Sequence, residues 1–375
     1  MIKKATTYIL TFCAIAFLVL SCSEISKVKD AITKPSARQI YKRDFSDKSI
    51  FSGWDLAFDR AKSDTIAIRL PYGEKGAFNP TANLVYSYTF ALKDGEALQA
   101  DISKDSANHH VFIDLFEIGG GQNSLVASSG FGQSELYFAS PHGGDYRLII
   151  QPQIGASGSF FFSFNSQPQY AFPVAGKGNA SIQSFWADVR DGGRRNHEGI
   201  DIFAKRGTPV VAVTDGTVSF TGERGLGGKQ VWLRAGLFGN SIYYAHLDSV
   251  AVTSGIRVKT GDTLGFVGNT GNARTTPPHL HFGIYKSRGA VNPLPFVYNS
   301  PKLNAKNFPA AFGQAELRVK PSKAYMRVSP DKKSDVVISL IQGEKLLVLG
   351  QSKDWIHVVN ELGVKGFVHK SIVQT

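Results

Sequence analysis

The chain has 375 residues, enough for two or three domains that each bury a core. Aromatic residues make up 11% and there are 38 glycines, a composition that suits β-rich domains with many tight turns better than helical ones. The net charge of +12 comes from scattered Lys and Arg without a long basic run, so no nucleic-acid partner is expected; a polyanionic envelope accounts for the same charge.

Lys3-Lys4 precedes an apolar run from Ile9 to Leu20, interrupted by Thr11 and ending at Ser21-Cys22. The run is too short to cross a bilayer core of roughly 30 Å as a helix, but it fits the apolar region of a signal peptide. Val19-Leu20-Ser21-Cys22 resembles a bacterial lipoprotein box, with Val19 where Leu is more usual. The resemblance implies a signal over residues 1–21, acylation of Cys22, and a lipid-anchored protein of the bacterial envelope facing the periplasm or cell surface. Cys13 and Cys22 are the two cysteines, so the expected mature chain forms no disulfide within itself.

Residues 22–48 are rich in Lys, Ser and Asp and are expected to be a tether. Over 49–168 the pattern changes to short alternating runs split by turn residues. Examples are 65–70, 84–90, 111–116, 146–150 and 160–164, and their spacing predicts a β-sandwich, vaguely similar to jelly-roll-like accessory domains. His109-His110 is not read as a metal pair, because adjacent strand residues point to opposite faces.

Residues 169–298 predict a compact antiparallel β-core, with strands at 209–213 and 230–234 flanking a Gly-rich loop, Gly222 to Gly228. Gly225, Gly227 and Gly228 have no following Lys-Ser/Thr or helix start, so a mobile loop at the rim of a peptide groove is expected rather than a phosphate cradle. A linker is expected over 299–313. Residues 314–375 resemble a bacterial SH3-like domain, a separate small barrel, through Gly343, Trp355, Gly363 and Gly366-Phe367-Val368. The resemblance implies a module that binds wall peptides. His357 and His369 are expected to be ordinary surface or edge residues. The fold class as a whole is mainly β.

Four histidines and one aspartate of the central region carry the chemistry. They fall in Asn196-His197-Glu198-Gly199-Ile200-Asp201-Ile202, Tyr243-Tyr244-Ala245-His246 and Pro277-Pro278-His279-Leu280-His281-Phe282-Gly283. His197 and Asp201, four apart, share one face of either a strand or a helical turn. His279 and His281 flank one apolar residue, so on a strand both point the same way, roughly 6.6 Å apart. Three ligands from His, Asp and Glu with a fourth position left open is the pattern of catalytic zinc.

The stretches NHEGIDIFAKRGTPVVAVTDGTV, YYAHL and GNTGNARTTPPHLHFGIY resemble the lysostaphin-like (LytM-type) zinc endopeptidases of bacterial cell walls, over about Ala171 to Val297. The resemblance implies one Zn2+ per chain held by His197, Asp201 and His281. It implies that His246 and His279 contact the water and the reacting carbonyl, leaving open which of them is the base. The expected function is hydrolysis of peptidoglycan stem-peptide cross-links, with the D-alanyl–diamino acid type favoured. The alternatives are a non-hydrolytic regulator that activates a cell wall amidase and a wall-anchoring scaffold. The complete ligand set argues against the regulator.

Overall fold

Alternation of apolar and polar residues sends successive side chains to opposite faces of a strand. The structure is a computed structural model describing residues 30, 33, 35–44, 50–105, 109–236, 239–309 and 316–375. The chain is mainly β, and its strand ladders are antiparallel. The first eight strands are β1 (Tyr72–Phe78), β2 (Tyr86–Leu92), β3 (Glu96–Lys104), β4 (Val111–Gly119), β5 (Gln122–Ser128), β6 (Glu135–Ala139), β7 (Gly144–Pro152) and β8 (Gly158–Pro168). They form two facing layers ordered β2-β7-β4-β5 and β1-β8-β3-β6. Tyr86 and Tyr88 of one layer meet Phe162 and Phe164 of the other, with ring centroids 5.1 and 5.4 Å apart. Residues 65–70, expected as a strand, make only an isolated bridge between Ala67 and Thr89.

Two helices cover the outer face of the β4 and β7 layer, α1 (Ala37–Asp44) and α2 (Phe51–Ala61). In α2 the buried residues Phe51, Trp54, Phe58 and Ala61 recur at helical spacing and so fall on one face. Trp54 Nε1 donates to the Pro152 carbonyl at 2.9 Å. Arg38 of α1 lies 3.5 Å over the Phe58 ring and pairs with Asp114 at 3.3 Å. Residues 37–44 are therefore not part of an unstructured tether, a correction to the expectation for 22–48. The leader and Cys22 lie outside the described residues.

The central body contains β9 (Ile182–Ser184), β10 (Val189–Arg190), β11 (Arg195–Asn196), β12 (Ile200–Phe203), β13 (Pro209–Val211), β14 (Gly216–Glu223), β15 (Lys229–Arg234), β16 (Ser241–Val250), β17 (Arg257–Val258), β18 (Thr263–Val267), β19 (His279–Lys286) and β20 (Gly289–Val291). Its main sheet runs β17-β14-β15-β16-β19-β12-β9, and one core lies beneath it, including Ile200, Tyr244, Leu280 and Phe282. The short helix α3 (Leu294–Val297) closes this body. The sandwich docks at the Lys286 end of β19, where Lys286 Nζ pairs with Asp94 at 2.7 Å and Tyr170 N donates to the Phe296 carbonyl at 2.9 Å. Gly95 lies against Phe296 there; a Cβ on Gly95 would stand 2.4 Å from the ring. His279, at the other end of the strand, is about 23 Å away at 3.3 Å per residue.

The last strands are β21 (Glu316–Val319), β22 (Lys323–Arg327), β23 (Val336–Ile341), β24 (Lys345–Ser352), β25 (Trp355–Asn360), β26 (Lys365–His369) and β27 (Val373–Gln374). They have a small core of their own, with Met326, Leu340, Ile356 and Val358. They do not stand apart as a separate unit, however. β24 pairs with β1 through Lys75 and Gln351, giving one sheet ordered β23-β22-β26-β25-β24-β1-β8-β3-β6.

That junction corrects the expectation for His357. It is fully buried, and its Nδ1 lies 3.1 Å from Oε1 of Glu74, which is also fully buried. The hydroxyls of Tyr72 and Tyr88 donate to the other Glu74 oxygen, Tyr88 at 2.9 Å. Burial first, and then the Glu74 charge, push both tyrosines well above the usual phenol range, so they remain donors. Gly350 leaves room for the carboxylate: a Cβ there would stand 2.2 Å from Oε1.

Candidate metal centre and active site

β12 and β19 pair in a register that sets Asp201 directly opposite His281 and Phe203 opposite His279. Because β12 and β19 alternate in phase, Asp201, His279 and His281 emerge on one face of the sheet. His197 stands just before β12 and reaches back over the same face. Its Nε2 lies 3.0 Å from Asp201 Oδ1 and 3.0 Å from His281 Nδ1, and the latter is 3.1 Å from Asp201 Oδ1. Among the described residues this is the group of three whose donor atoms converge. His109 and His110 take no part in such a group: His109 Nδ1 lies against Ser157 O at 3.1 Å, and His110 packs at a tilt against Phe131, ring centroids 4.5 Å apart.

The donor set fits a zinc ion. Ligands at 2.0–2.1 Å in a tetrahedron are separated by about 3.3 Å, close to the three edges seen here. His197 Nδ1 is 2.8 Å from the Phe185 carbonyl, so it carries the proton and Nε2 presents its lone pair. Arg190 holds the outer oxygen of Asp201 at 3.0 Å. Burial alone would raise the Asp201 carboxyl, but the close approach of the His197 and His281 nitrogens, with a proton or a metal cation between them and Oδ1, outweighs it and holds the group far below the usual carboxylate range. His281 is pushed down, mainly by burial, which favours the neutral, ligating imidazole.

Gly199 is needed for this packing: a Cβ there would stand 2.6 Å from His281 Cε1 and 2.7 Å from the Phe282 carbonyl. Backbone on one side and a ligand ring on the other leave only the ring to move. Gly199→Ala should weaken zinc affinity by about 10-fold or more while the fold persists. Titration against a competing chelator measures this, and unchanged affinity would count against the packing argument.

His246 enters from β16. After Ala245, opposite His281, β16 leaves β19 and pairs with β18 from Leu247 onward. The turn falls on His246 itself, which has φ 62°, a left-handed conformation that is uncommon for a residue with a Cβ. It brings the imidazole over the metal face, 5.1 Å from the His279 ring and 5.8 Å from the His281 ring. His246 Nδ1 donates to the Thr270 carbonyl and His279 Nδ1 to the Pro277 carbonyl, each at 2.9 Å. Both rings therefore turn Nε2 away from these carbonyls, and His279 Nε2 lies 4.0 Å from Asp201 Oδ1. His246 is pushed down to about 4, chiefly by burial and then by His281 and His279, and is neutral at pH 7.

The five residues line a cleft of about 800 Å³, whose other walls come from residues between Ser184 and Tyr285. Among the described residues, none of the sandwich or of the terminal strands lines it. The Gly-rich loop forms one rim, with Leu226 exposed. Its backbone lies close on the 271–273 turn: a Cβ on Gly228 would stand 2.4 Å from Gly271 N, and one on Gly271 2.2 Å from Leu226 O. The sequence did not single out Arg190, the carbonyls of Phe185, Thr270 and Pro277, or the ring of Tyr243, 5.7 Å from that of His281. Backbone partners have no residue signature, so only the two tyrosines around His246 could have been flagged.

An N,N,O donor set open to a cleft, with two further histidines across from it, defines a metallopeptidase-type site. Residues 195–293, which contain all five site residues, match the family model of Peptidase family M23. Over that stretch the chain is similar to M23 peptidases. It is 39% identical over 129 residues to the L-Ala--D-Glu endopeptidase of Bacillus subtilis, covering 32% of this chain and 39% of that protein. It is 27% identical over 250 residues to the peptidoglycan DD-endopeptidase ShyC of Vibrio cholerae, covering 64% of this chain and 45% of that one. The chain thus spans less than half the length of either relative. A similar solved structure is the catalytic domain of lysostaphin from Staphylococcus simulans, at 32% identity and TM-score 0.28, covering 30% of this chain and 89% of that one.

Proposed function

We propose that this protein is a zinc-dependent endopeptidase that hydrolyses peptide cross-links of peptidoglycan, the D-alanyl–diamino acid type first among them, in cell wall remodelling. The observation that carries the reading is the complete ligand set beside two non-ligand histidines in an open cleft. The names of the similar proteins support the polymer: one is a peptidoglycan DD-endopeptidase and the other an L-Ala--D-Glu endopeptidase.

His197 Nε2, Asp201 Oδ1 and His281 Nδ1 would hold the zinc. When bound there, it supplies a Lewis acid that polarises a carbonyl and makes water nucleophilic at neutral pH. The chain's own groups do the rest. His246 and His279 are fixed by their Nδ1 bonds, so the nitrogen each offers to the cleft is Nε2. One Nε2 takes the proton of the attacking water, and the imidazolium so formed stabilises the developing oxyanion. The proton is then delivered to the leaving amine, and such acid–base help is worth about 10²–10⁴ in rate. Digestion of purified cross-linked muropeptides followed by mass spectrometry tests the reading; intact dimers after incubation with the zinc-loaded protein would refute it.

His246→Ala and His279→Ala should each keep the metal and lose most turnover, by about 10²-fold or more. Metal analysis beside muropeptide kinetics checks both. Zinc lost from the His279 variant but kept by the His281 variant would exchange the roles of the two strand histidines.

We also propose that Cys22 is acylated, so that the protein acts from a membrane of the bacterial envelope. Two or more acyl chains, at about 0.8 kcal/mol per buried CH₂, suffice for stable attachment. Cys22→Ser should release the protein from the membrane fraction with the enzyme site unaltered. A wild-type protein found wholly soluble with an unmodified N-terminus would overturn the anchor alone.

A further inference from the structure

The cleft contains two carboxylates, Asp201 and Glu198. Asp201 is fully engaged, with Oδ1 among the ligand nitrogens and Oδ2 on Arg190. Glu198 is exposed and pairs with no cation among the described residues; its polar contact is the Tyr285 hydroxyl, which donates to Oε2 at 3.5 Å. Its position is nonetheless fixed. His197 on one side is a ligand, Gly199 on the other packs on His281, and the Glu198 carbonyl lies 3.3 Å from where a Gly283 Cβ would stand.

Beside this carboxylate is an aromatic wall. Tyr285 and Tyr243 both line the cleft, with ring centroids 6.4 Å apart, and Trp232 backs them at 5.1 and 4.5 Å. Gly283 and Ala245 are the small residues between them and the ligands, and both tyrosines are half-buried at the cleft wall. The two tyrosines stay protonated, since burial pushes each up to about 12. A fixed carboxylate next to electron-rich ring faces attracts an organic cation by charge and by cation–π contact. A single carboxylate offers too few oxygens for a Ca2+ or Mg2+ site, which takes six or more ligands counting water.

We propose that Glu198, with the faces of Tyr285 and Tyr243, forms a subsite for a protonated primary amine, the free ammonium of the stem peptide's diamino acid. This rests on the reading of the cleft as a peptidoglycan endopeptidase site. Along β19, Tyr285 lies four residues beyond His281, about 13 Å, so the amine is read one or two residues from the scissile bond. The subsite sets specificity and takes no part in bond breaking.

The test measures binding and cleavage separately, on the full-length soluble Cys22→Ser protein loaded with zinc. The binding probes are the peptide N-acetyl-L-alanyl-γ-D-glutamyl-diaminopimelyl-D-alanine, whose one free amine is that of the diamino acid, and the same peptide acetylated there as well, compared by calorimetry. The wild type should bind the free amine roughly tenfold more tightly, and Glu198→Gln should erase that preference without altering affinity for the acetylated form. A preference unchanged in Glu198→Gln, or none in the wild type, overturns the subsite. Cross-linked dimers with free or acetylated amines give the second readout. Binding preference without any cleavage keeps the subsite and sinks the peptidase reading; equal cleavage of both dimers with equal binding does the reverse. Failure to bind or cut either probe overturns both.

Discussion

Replacing His281 by Ala should leave the protein folded, without zinc, and with hydrolysis at background. Among the described residues three donors converge, His197 Nε2, Asp201 Oδ1 and His281 Nδ1, so removing one leaves two. Two donors do not hold zinc tightly, and the lone pairs of His197 and Asp201 would then face each other at 3.0 Å with no cation between them. A proton shared by this pair is the natural replacement. The same outcome is expected for His197→Ala and Asp201→Ala. Metal content by elemental analysis, with circular dichroism to confirm the fold, reads the result; full occupancy in the His281 variant would dismiss the ligand assignment.

The second large effect lies far from the cleft. His357→Phe should destabilise the unit made by the sandwich and the terminal strands by about 3–5 kcal/mol, because it leaves the buried Glu74 carboxylate short of a partner. The ring volume is largely kept, so the loss reports the missing Nδ1 donor rather than a cavity. Tyr72 and Tyr88 still donate but cannot replace it. Adding Glu74→Gln to the same chain removes the stranded charge and should recover part of the stability. Calorimetric or optical melting of the three proteins settles the matter: an unchanged transition in the single variant contradicts the role given to this pair.

The two sites differ in how far the sequence revealed them. The five residues that meet in the cleft were readable together in the sequence through the resemblance their three segments carry. Strand geometry accounts for part of it: His279 and His281 lie two apart on β19, and the β12 pairing brings Asp201 opposite. The contacts that orient them were not, since the carbonyls of Phe185, Thr270 and Pro277 belong to residue types with no signature. The left-handed turn at His246 was equally hidden. The antiparallel sheets were legible from alternating runs. The helix over 51–61 could have been found, as Phe51, Trp54, Phe58 and Ala61 keep a helical period within the segment assigned to the β-sandwich, ahead of its first strand run. The helix over 37–44 could not, for its polar sequence gains order by lying against Phe112 and Asp114. His357 was placed at the surface because its partner Glu74 is 283 residues away, a distance no local pattern spans.

That separation bears on how the protein is made. The β1 edge is completed by β24, and the carboxylate of Glu74 gains its third donor only from β25. A chain still emerging, or cut short before residue 345, exposes an open strand edge and a half-satisfied buried acid at its N-terminal end. Such non-local closure is slow and favours folding after the whole chain has been delivered. The terminal strands thus complete the sandwich from the far end of the chain: an incomplete copy lacks both the finished β1 edge and the last donor to a buried acid.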